Sequence, residues 1–330
     1  MKLADAIVVG GGPAGSTCAW KLHAAGLDVL VLDRARFPRN KLCAGWVTPK
    51  VMTDLELDPR DYPHSFMTFD KLHLHWKGFS KKLHTPQHSI RRLEFDDFLL
   101  RRSGAEILQH EVRDIEVAGG DYIIDNIYRC KYLVGAGGTR CPVYRTFFRS
   151  INPRNYKLQT ATYEQEIPYR WDHATCHLWF FDGRLPGYAW YVPKANGFVN
   201  VGLGGMAVQL KRRNGHLRDH WDRFVRKLED CRLVDYKHFH PTGYSYFLHG
   251  NVDLVRQGNA FITGDAVGLA TRDMCEGIGP AIESGLLAAA TIVSGTEYTL
   301  SGIASLSGST FVSRILGSKF AGTGADTRAH

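Results

Sequence analysis

The chain has 330 residues, 44% apolar and 22% charged, with a formal charge of +8 at pH 7. That length suits two domains, or one large α/β domain with a second inserted into it, and the composition excludes a disordered chain, a collagen-like repeat and a polytopic membrane protein. The basic clusters, Lys211-Arg212-Arg213 and Arg91-Arg92, are short and scattered and no nucleic-acid-binding pattern accompanies them, so the charge reads as solvated surface.

The first element expected is a strand from Asp5 to Gly10, an apolar β-branched run. A glycine turn follows, Gly10-Gly-Gly12-Pro13-Ala14-Gly15, and then a helix to Ala25 that Gly26 ends. A second strand, Val29 to Leu32, runs into Asp33, 18 residues past Gly15. Strand, glycine turn, helix, strand and acid together make a dinucleotide-binding βαβ unit. Gly10 permits the tight turn, Gly12 has no Cβ to block a pyrophosphate, and Gly15 lets helix and strand approach closely. The helix start then presents N–H groups and a positive potential to the anion, while Asp33 can accept hydrogen bonds from a ribose.

Beyond Asp33 the pattern departs from an ordinary dehydrogenase. Residues 34–49 are irregular, and residues 70–90 read as short strands. Arg92-x-x-Phe95-Asp96 opens an amphipathic helix to Arg102, and residues 107–124 resemble strands. Tyr132 to Val134 is a strand entering a second glycine turn, Gly135-Ala-Gly137-Gly138. Four β-like runs follow, Ala161–Ile167, Thr175–Phe181, Ala189–Pro193 and Phe198–Leu203, which suggest an antiparallel sheet. Residues 208–230 read as one charged amphipathic helix. Ala260 to Ala266 is a buried strand ending in Gly264-Asp265, followed by an apolar helix from Gly279 to Val293 that is too short for a membrane span.

Seven cysteines without a Cys-x-x-Cys pair, and no leader pattern, point to a reducing cytoplasm. His73 and His75 alternate on an expected strand, as do His238 and His240. No carboxylates or thiolates cluster with them, so no metal site is expected.

The three glycine motifs, in this order, resemble the p-hydroxybenzoate-hydroxylase-like flavoproteins. Lys41-Leu-Cys43-Ala-Gly45 and Pro186-Gly-Tyr188-Ala-Trp190-Tyr-Val192-Pro193-Lys194 are most similar to the geranylgeranyl reductase family, with the flavin-dependent halogenases as relatives. The resemblance spans residues 4–295. It implies an α/β fold in which a Rossmann-like FAD domain (residues 1–65, 91–157 and 250–295) is interleaved with a mainly antiparallel substrate-binding sheet (66–90 and 158–249), leaving a short C-terminal segment, 296–330. It also implies FAD as cofactor: pyrophosphate on Gly10, Gly12, Pro13, Ala14 and Gly15; adenosine ribose on Asp33, beside Arg34; Arg92 at the cofactor; Gly264 and Asp265 at the ribityl chain. Gly277, Ile278 and Gly279 would place N–H groups at the pyrimidine edge, where negative charge grows on reduction. An ordinary N-cap is the other reading of Gly264-Asp265.

The sequence departs from the family pattern in three places. Gly137 stands where the middle motif usually has an acid, and Cys141 where serine is common. The paired-tryptophan signature of halogenases is missing, and the chain ends sooner after the apolar helix than typical relatives, so a shortened substrate cover is expected.

Tyr188, Trp190 and Val192 would face one side of a strand, as an apolar wall for a lipid or aromatic substrate or as ordinary core. Cys43 follows a basic segment that could lower its thiol pKa and make it a proton donor, though a buried inert cysteine fits as well. Trp46 is expected beside it. The function implied is FAD-dependent reduction of a carbon–carbon double bond in an apolar, prenyl-type substrate, with Cys43, Tyr188 and Trp190 at the reaction. The alternative is a flavin monooxygenase or halogenase acting on an aromatic or carrier-bound substrate. The electron donor would be NAD(P)H, ferredoxin or a flavin reductase, met transiently, and a peripheral membrane contact would suit a lipid substrate.

Overall fold

The computed structural model describes residues 1–64, 66–213, 215–235 and 238–307, with the backbone alone for Asp70. The chain divides into two compact units. Met1–Phe37, Asp96–Leu158 and the residues from Phe247 onward form the first; Pro38–Phe95 and Gln159–Tyr246 form the second.

From the N-terminus the elements are β1 (Lys2–Val9), α1 (Pro13–Ala24), β2 (Val29–Asp33), β3 (Trp46–Val47), α2 (Pro49–Asp54), β4 (Phe66–Trp76), β5 (Phe79–Ile90) and α3 (Arg92–Arg102). Next come β6 (Glu106–Gln109), β7 (Ile115–Ala118), β8 (Asp121–Ile124), β9 (Tyr128–Gly135), β10 (Gln159–Pro168), β11 (Cys176–Phe180), β12 (Gly187–Lys194) and β13 (Phe198–Met206). The last are α4 (Ala207–Arg212), α5 (Leu217–Asp230), β14 (Thr242–Phe247), β15 (Arg256–Gln257), β16 (Ala260–Ile262) and α6 (Ile278–Ser294).

In the first unit β6, β2, β1, β9 and β16 run parallel, with β15 antiparallel at one edge and β7 and β8 folding back onto β9. Strands covered on both faces read as unbroken apolar runs, which is why Ile7, Val8, Leu30, Val31, Leu133, Val134 and Phe261 are all buried. The register pairs Val9 with both Leu32 and Gly135, and Gly135 with Ile262, so β1, β2, β9 and β16 end at one level. Ligands of open parallel sheets bind at that carboxyl edge.

The second unit holds the sheet β14-β10-β13-β12-β11-β4-β5-β3, antiparallel throughout the pairs from β10 to β3 except for the parallel pair β11/β4. Alternation sends Ala189 and Tyr191 of β12, with Val199, Val201 and Leu203 of β13, to one face. There Leu210 of α4 and Trp221, Phe224 and Leu228 of α5 cover them. The other face carries Tyr188, Trp190, Val192 and Lys194.

Several expectations change here. The second unit begins at Pro38, not residue 66, because Trp46 and Val47 pair with Ser89 and His88 as an edge strand. Residues 70–90 lie in two long strands joined as a hairpin, not several short ones. The stretch 208–230 is two helices, broken before His216, the extended residue that caps α5. His238 and His240 lie outside any strand. Of the expected C-terminal segment, residues 308–330 are outside the described residues.

Candidate active site

In the first unit the three glycine motifs meet at the carboxyl edge of the parallel strands. Gly10 has φ +112°, and a Cβ there would lie 2.4 Å from the Ala136 carbonyl oxygen, which belongs to the turn after β9. A Cβ on Gly15 would lie 1.9 Å from the Gly10 carbonyl oxygen. Both clashes are with backbone, so neither position tolerates a side chain. Asp33 closes the turn from the other side: one carboxylate oxygen accepts from the Gly11 N–H and the other from the Ala35 N–H, each at 2.8 Å. Arg34 is exposed beside it. Gly12 caps α1, Pro13 and Ala14 are buried in its first turn, and neither a capping side chain nor an acid occupies that helix start.

The Gly264-Asp265 turn joins this cluster. The Thr263 N–H donates to the Gly135 carbonyl at 3.0 Å, and the Gly264 N–H to Ser284 Oγ at 2.9 Å. A Cβ on Gly277, the N-cap of α6, would lie 3.6 Å from Asp265 Oδ1, so Asp265, Gly277, Ile278 and Gly279 stand together at a second helix start without a capping side chain. The two helices cross closely: a Cβ on Gly285 would be 2.3 Å from the Ala14 carbonyl oxygen. Arg154, which no motif marks, ties the turns after β9 and β16 by donating to the Thr139 and Ala266 carbonyls, the latter at 3.0 Å. This edge offers glycine-bare backbone, two open helix starts and an acid at the end of β2, and those residues fit a flavin dinucleotide.

In the second unit the two family-specific motifs are bound to each other. Lys194, fully buried, donates through Nζ to the Ala44 carbonyl and, at 2.8 Å, to the Ile90 carbonyl. A Cβ on Gly45 (φ +64°) would lie 2.1 Å from the Ile90 oxygen and 2.5 Å from Lys194 Nζ, so this glycine is obligatory. Asn200 Nδ2 donates to the Cys43 carbonyl at 3.4 Å, and its Oδ1 accepts from the Trp190 indole N–H at 2.7 Å. Cys43 is half-buried, its sulfur accepting from the Gly45 N–H at 3.3 Å. Cys43 and Trp190 are thus brought together by Asn200.

Tyr188 and Trp190 lie 5.7 Å apart, ring centre to ring centre, on the face away from α4 and α5. They are not part of the helix-covered core. Trp190 is only 5% exposed and leans over Gly202, where a Cβ would be 2.3 Å from its ring; Tyr188 carries the accessible part of the wall. The Trp46 indole N–H donates to Gln87 Oε1 at 2.7 Å, on the edge strand β3. Arg92 also belongs to the second unit, where its charge acts on the buried carboxyl of Glu164.

Sequence reading passed over Glu164 and His177. Glu164 is paired with Gly202 across β10 and β13, and burial pushes its carboxyl up to about 8. Its alternation in β10 resembles that of a solvent-facing acid, and the signal for its burial is the Gly202-x-Gly204 spacing in the facing strand. His177 bridges the pair seen in sequence: His75 Nε2 and His177 Nδ1 are 2.9 Å apart with rings stacked, and His73 meets His177 edge-on. Among the described residues no group of three or more His, Cys, Asp or Glu could hold a metal ion.

Residues 8–72 match the model of an NAD(P)-binding Rossmann-like domain. An uncharacterized protein of Methanosarcina barkeri is 31% identical over 307 residues, covering 89% of this chain and 76% of that one. A menaquinone reductase of Mycolicibacterium smegmatis is 29% identical over 331 residues, covering 90% and 78%. A digeranylgeranylglycerophospholipid reductase of Methanopyrus kandleri is 30% identical over 217 residues, covering 61% and 57%. Among solved structures, a geranylgeranyl bacteriochlorophyll reductase-like protein of Thermoplasma acidophilum shares the fold, with TM-score 0.77, 19% identity, and coverage of 89% and 78%. With the glycine turns at one sheet edge and both family motifs locked together, the chain belongs to the geranylgeranyl reductase family of FAD-dependent oxidoreductases.

Proposed function

We propose that this enzyme reduces a carbon–carbon double bond in an apolar, prenyl-type lipid. The observation that carries the reading is the junction of Cys43-Ala44-Gly45 with Asn200 and Lys194, beside the aromatic pair Tyr188 and Trp190 on the sheet face away from α4 and α5. Relatives named as reductases of menaquinone and of a digeranylgeranyl phospholipid support it.

The residues divide the work by unit. Gly10, Gly12, Pro13, Ala14 and Gly15 would hold the FAD pyrophosphate, Asp33 and Arg34 the adenosine end, and Gly264, Asp265, Gly277, Ile278 and Gly279 the ribityl and pyrimidine portions. When bound and reduced, FAD supplies hydride. Tyr188 and Trp190 align the apolar chain and favour positive charge developing on the alkene. Cys43 borders that face, and two side chains there, Cys43 and Glu164, are candidates to give the second hydrogen as a proton. Electrons would come from NAD(P)H, ferredoxin or a flavin reductase in transient encounters, and the lipid from a membrane surface met peripherally. No helix among the described residues is long and apolar enough to cross a membrane.

Tyr188→Ala tests the wall. An aromatic ring buried against a ligand is worth roughly 1.5–3 kcal/mol, so prenyl-lipid binding should weaken roughly tenfold or more while bound FAD stays at the wild-type ratio. Unchanged lipid affinity in a fully flavinylated variant would remove the substrate from this face.

A further inference from the structure

We propose that Glu164 is the proton donor of the reduction, delivering its carboxyl hydrogen to the alkene carbon that does not receive hydride. The inference rests on the alkene-reductase reading and assigns within it the proton that sequence reading gave to Cys43.

The placement is specific. Trp190, Gly202 and Glu164 are consecutive across β12, β13 and β10, so their side chains share one face of the sheet. Because Gly202 has no side chain, the Trp190 indole and the Glu164 stem approach each other across it: a Cβ at 202 would lie 2.3 Å from the indole and 2.7 Å from Glu164 Cβ. Gly204, next on this face, is equally bare. Glu164 is only 3% exposed, and its Oε1 has no hydrogen-bond partner among the described residues. A buried carboxylate without a partner is costly, whereas the neutral acid is not, and the aromatic neighbour deepens that preference.

The charges around Glu164 do not cancel this effect. Lys194 from β12, Lys41, and Arg92 from the start of α3 favour the carboxylate; Glu166, on its own strand, opposes it. Two of these cations are engaged elsewhere: Lys194 Nζ with the Ala44 and Ile90 carbonyls, and Lys41 Nζ 3.2 Å above the Tyr244 ring. Glu166 is paired with Arg91 at 2.7 Å. Desolvation prevails, and the carboxyl holds its proton up to about pH 8. Cys176, on the same face of β11, is a far weaker acid, its thiol pushed up to about 12 by burial.

The step balances. As the Glu164 O–H bond breaks, the alkene π pair takes the proton, forming one C–H bond and leaving positive charge on the second carbon. That charge would be quenched by the hydride that bound, reduced FAD supplies, whose electron pair makes the second C–H bond. The remaining carboxylate, held beside Lys194, Lys41 and Arg92, regains a proton from solvent before the next turnover.

The test is anaerobic single turnover of chemically reduced holoenzyme with geranylgeraniol in detergent micelles, across pH, for the wild type, Glu164→Gln and Cys43→Ala, with infrared difference spectra of wild type against Glu164→Gln. A positioned acid contributes roughly 10² to 10⁴-fold, so Glu164→Gln should slow reoxidation by about 10²-fold or more at neutral pH. The wild-type rate should fall as pH rises through about 8. Cys43→Ala should keep that limb and Glu164→Gln should lose it. The infrared spectrum should show a protonated carboxyl at neutral pH that Glu164→Gln lacks. A Glu164→Gln rate within threefold of wild type, a wild-type rate flat through that pH, or an ionised Glu164 at neutral pH overturns the assignment. The last two need no variant to turn over. If geranylgeraniol fails to reoxidise the wild type at all, it is the alkene-reductase reading that has failed, and this inference falls with it.

Discussion

At the scale of single residues, the second unit is shaped by polar groups held out of water. His177 is the clearest case: burial, reinforced by the charges that His73 and His75 would carry, pushes its pKa down to about 3, and the pKa values of His73 and His75 are lowered too, chiefly by burial. An unfolded histidine titrates near 6.5. Above that value both states are neutral and the cluster carries no penalty. As pH falls below it the unfolded chain takes up protons that the folded one refuses, so stability declines from about 6.5 toward 3. Thermal unfolding across that window should show the wild type losing stability more steeply than His177→Asn; parallel curves would mean that the cluster titrates alike in both states. Lys194 follows the same logic, its ammonium pushed down to about 8 by burial, yet kept in place by two carbonyls that would be unsatisfied without it.

Among the elements, the decisive contacts are those where backbone touches backbone. In Gly15→Ala the new Cβ meets the Gly10 carbonyl at 1.9 Å, and that oxygen cannot move without disturbing the turn that ends β1. The variant should purify with little or no FAD, measured as flavin absorbance per chain. A stoichiometrically yellow Gly15→Ala protein would show that the cofactor does not depend on this turn. Such features were legible in the sequence because they are local: β1, β2 and β16 are continuous apolar runs, and the glycine turn and the acid closing β2 fall within one βαβ unit. Less legible were contacts between distant stretches. Nothing near Lys194 announces that its Nζ reaches Ala44, 150 residues away, or Ile90, 104 away. Glu164 reads as an exposed alternating acid until the bare strand β13 is set beside it. The split of residues 208–230 into α4 and α5 was missed because the apolar period continues across the break, and the second unit's start at Pro38 because a two-residue strand has no signature of its own.

For the whole molecule, the first unit carries the dinucleotide-binding edge and the second an aromatic sheet face. Flavin-dependent halogenases share this fold, so fold alone does not select the chemistry. The proposed reduction rests on the locked pair of motifs around Cys43, Trp190 and Lys194. The most direct test follows flavin absorbance after chemically reduced enzyme is mixed with a prenyl lipid, with and without oxygen, and then weighs the product. The lipid alone should reoxidise the flavin without oxygen, and the product should gain hydrogen only. Reoxidation that requires oxygen, with an oxygen or halogen atom in the product, would contradict the proposed reduction.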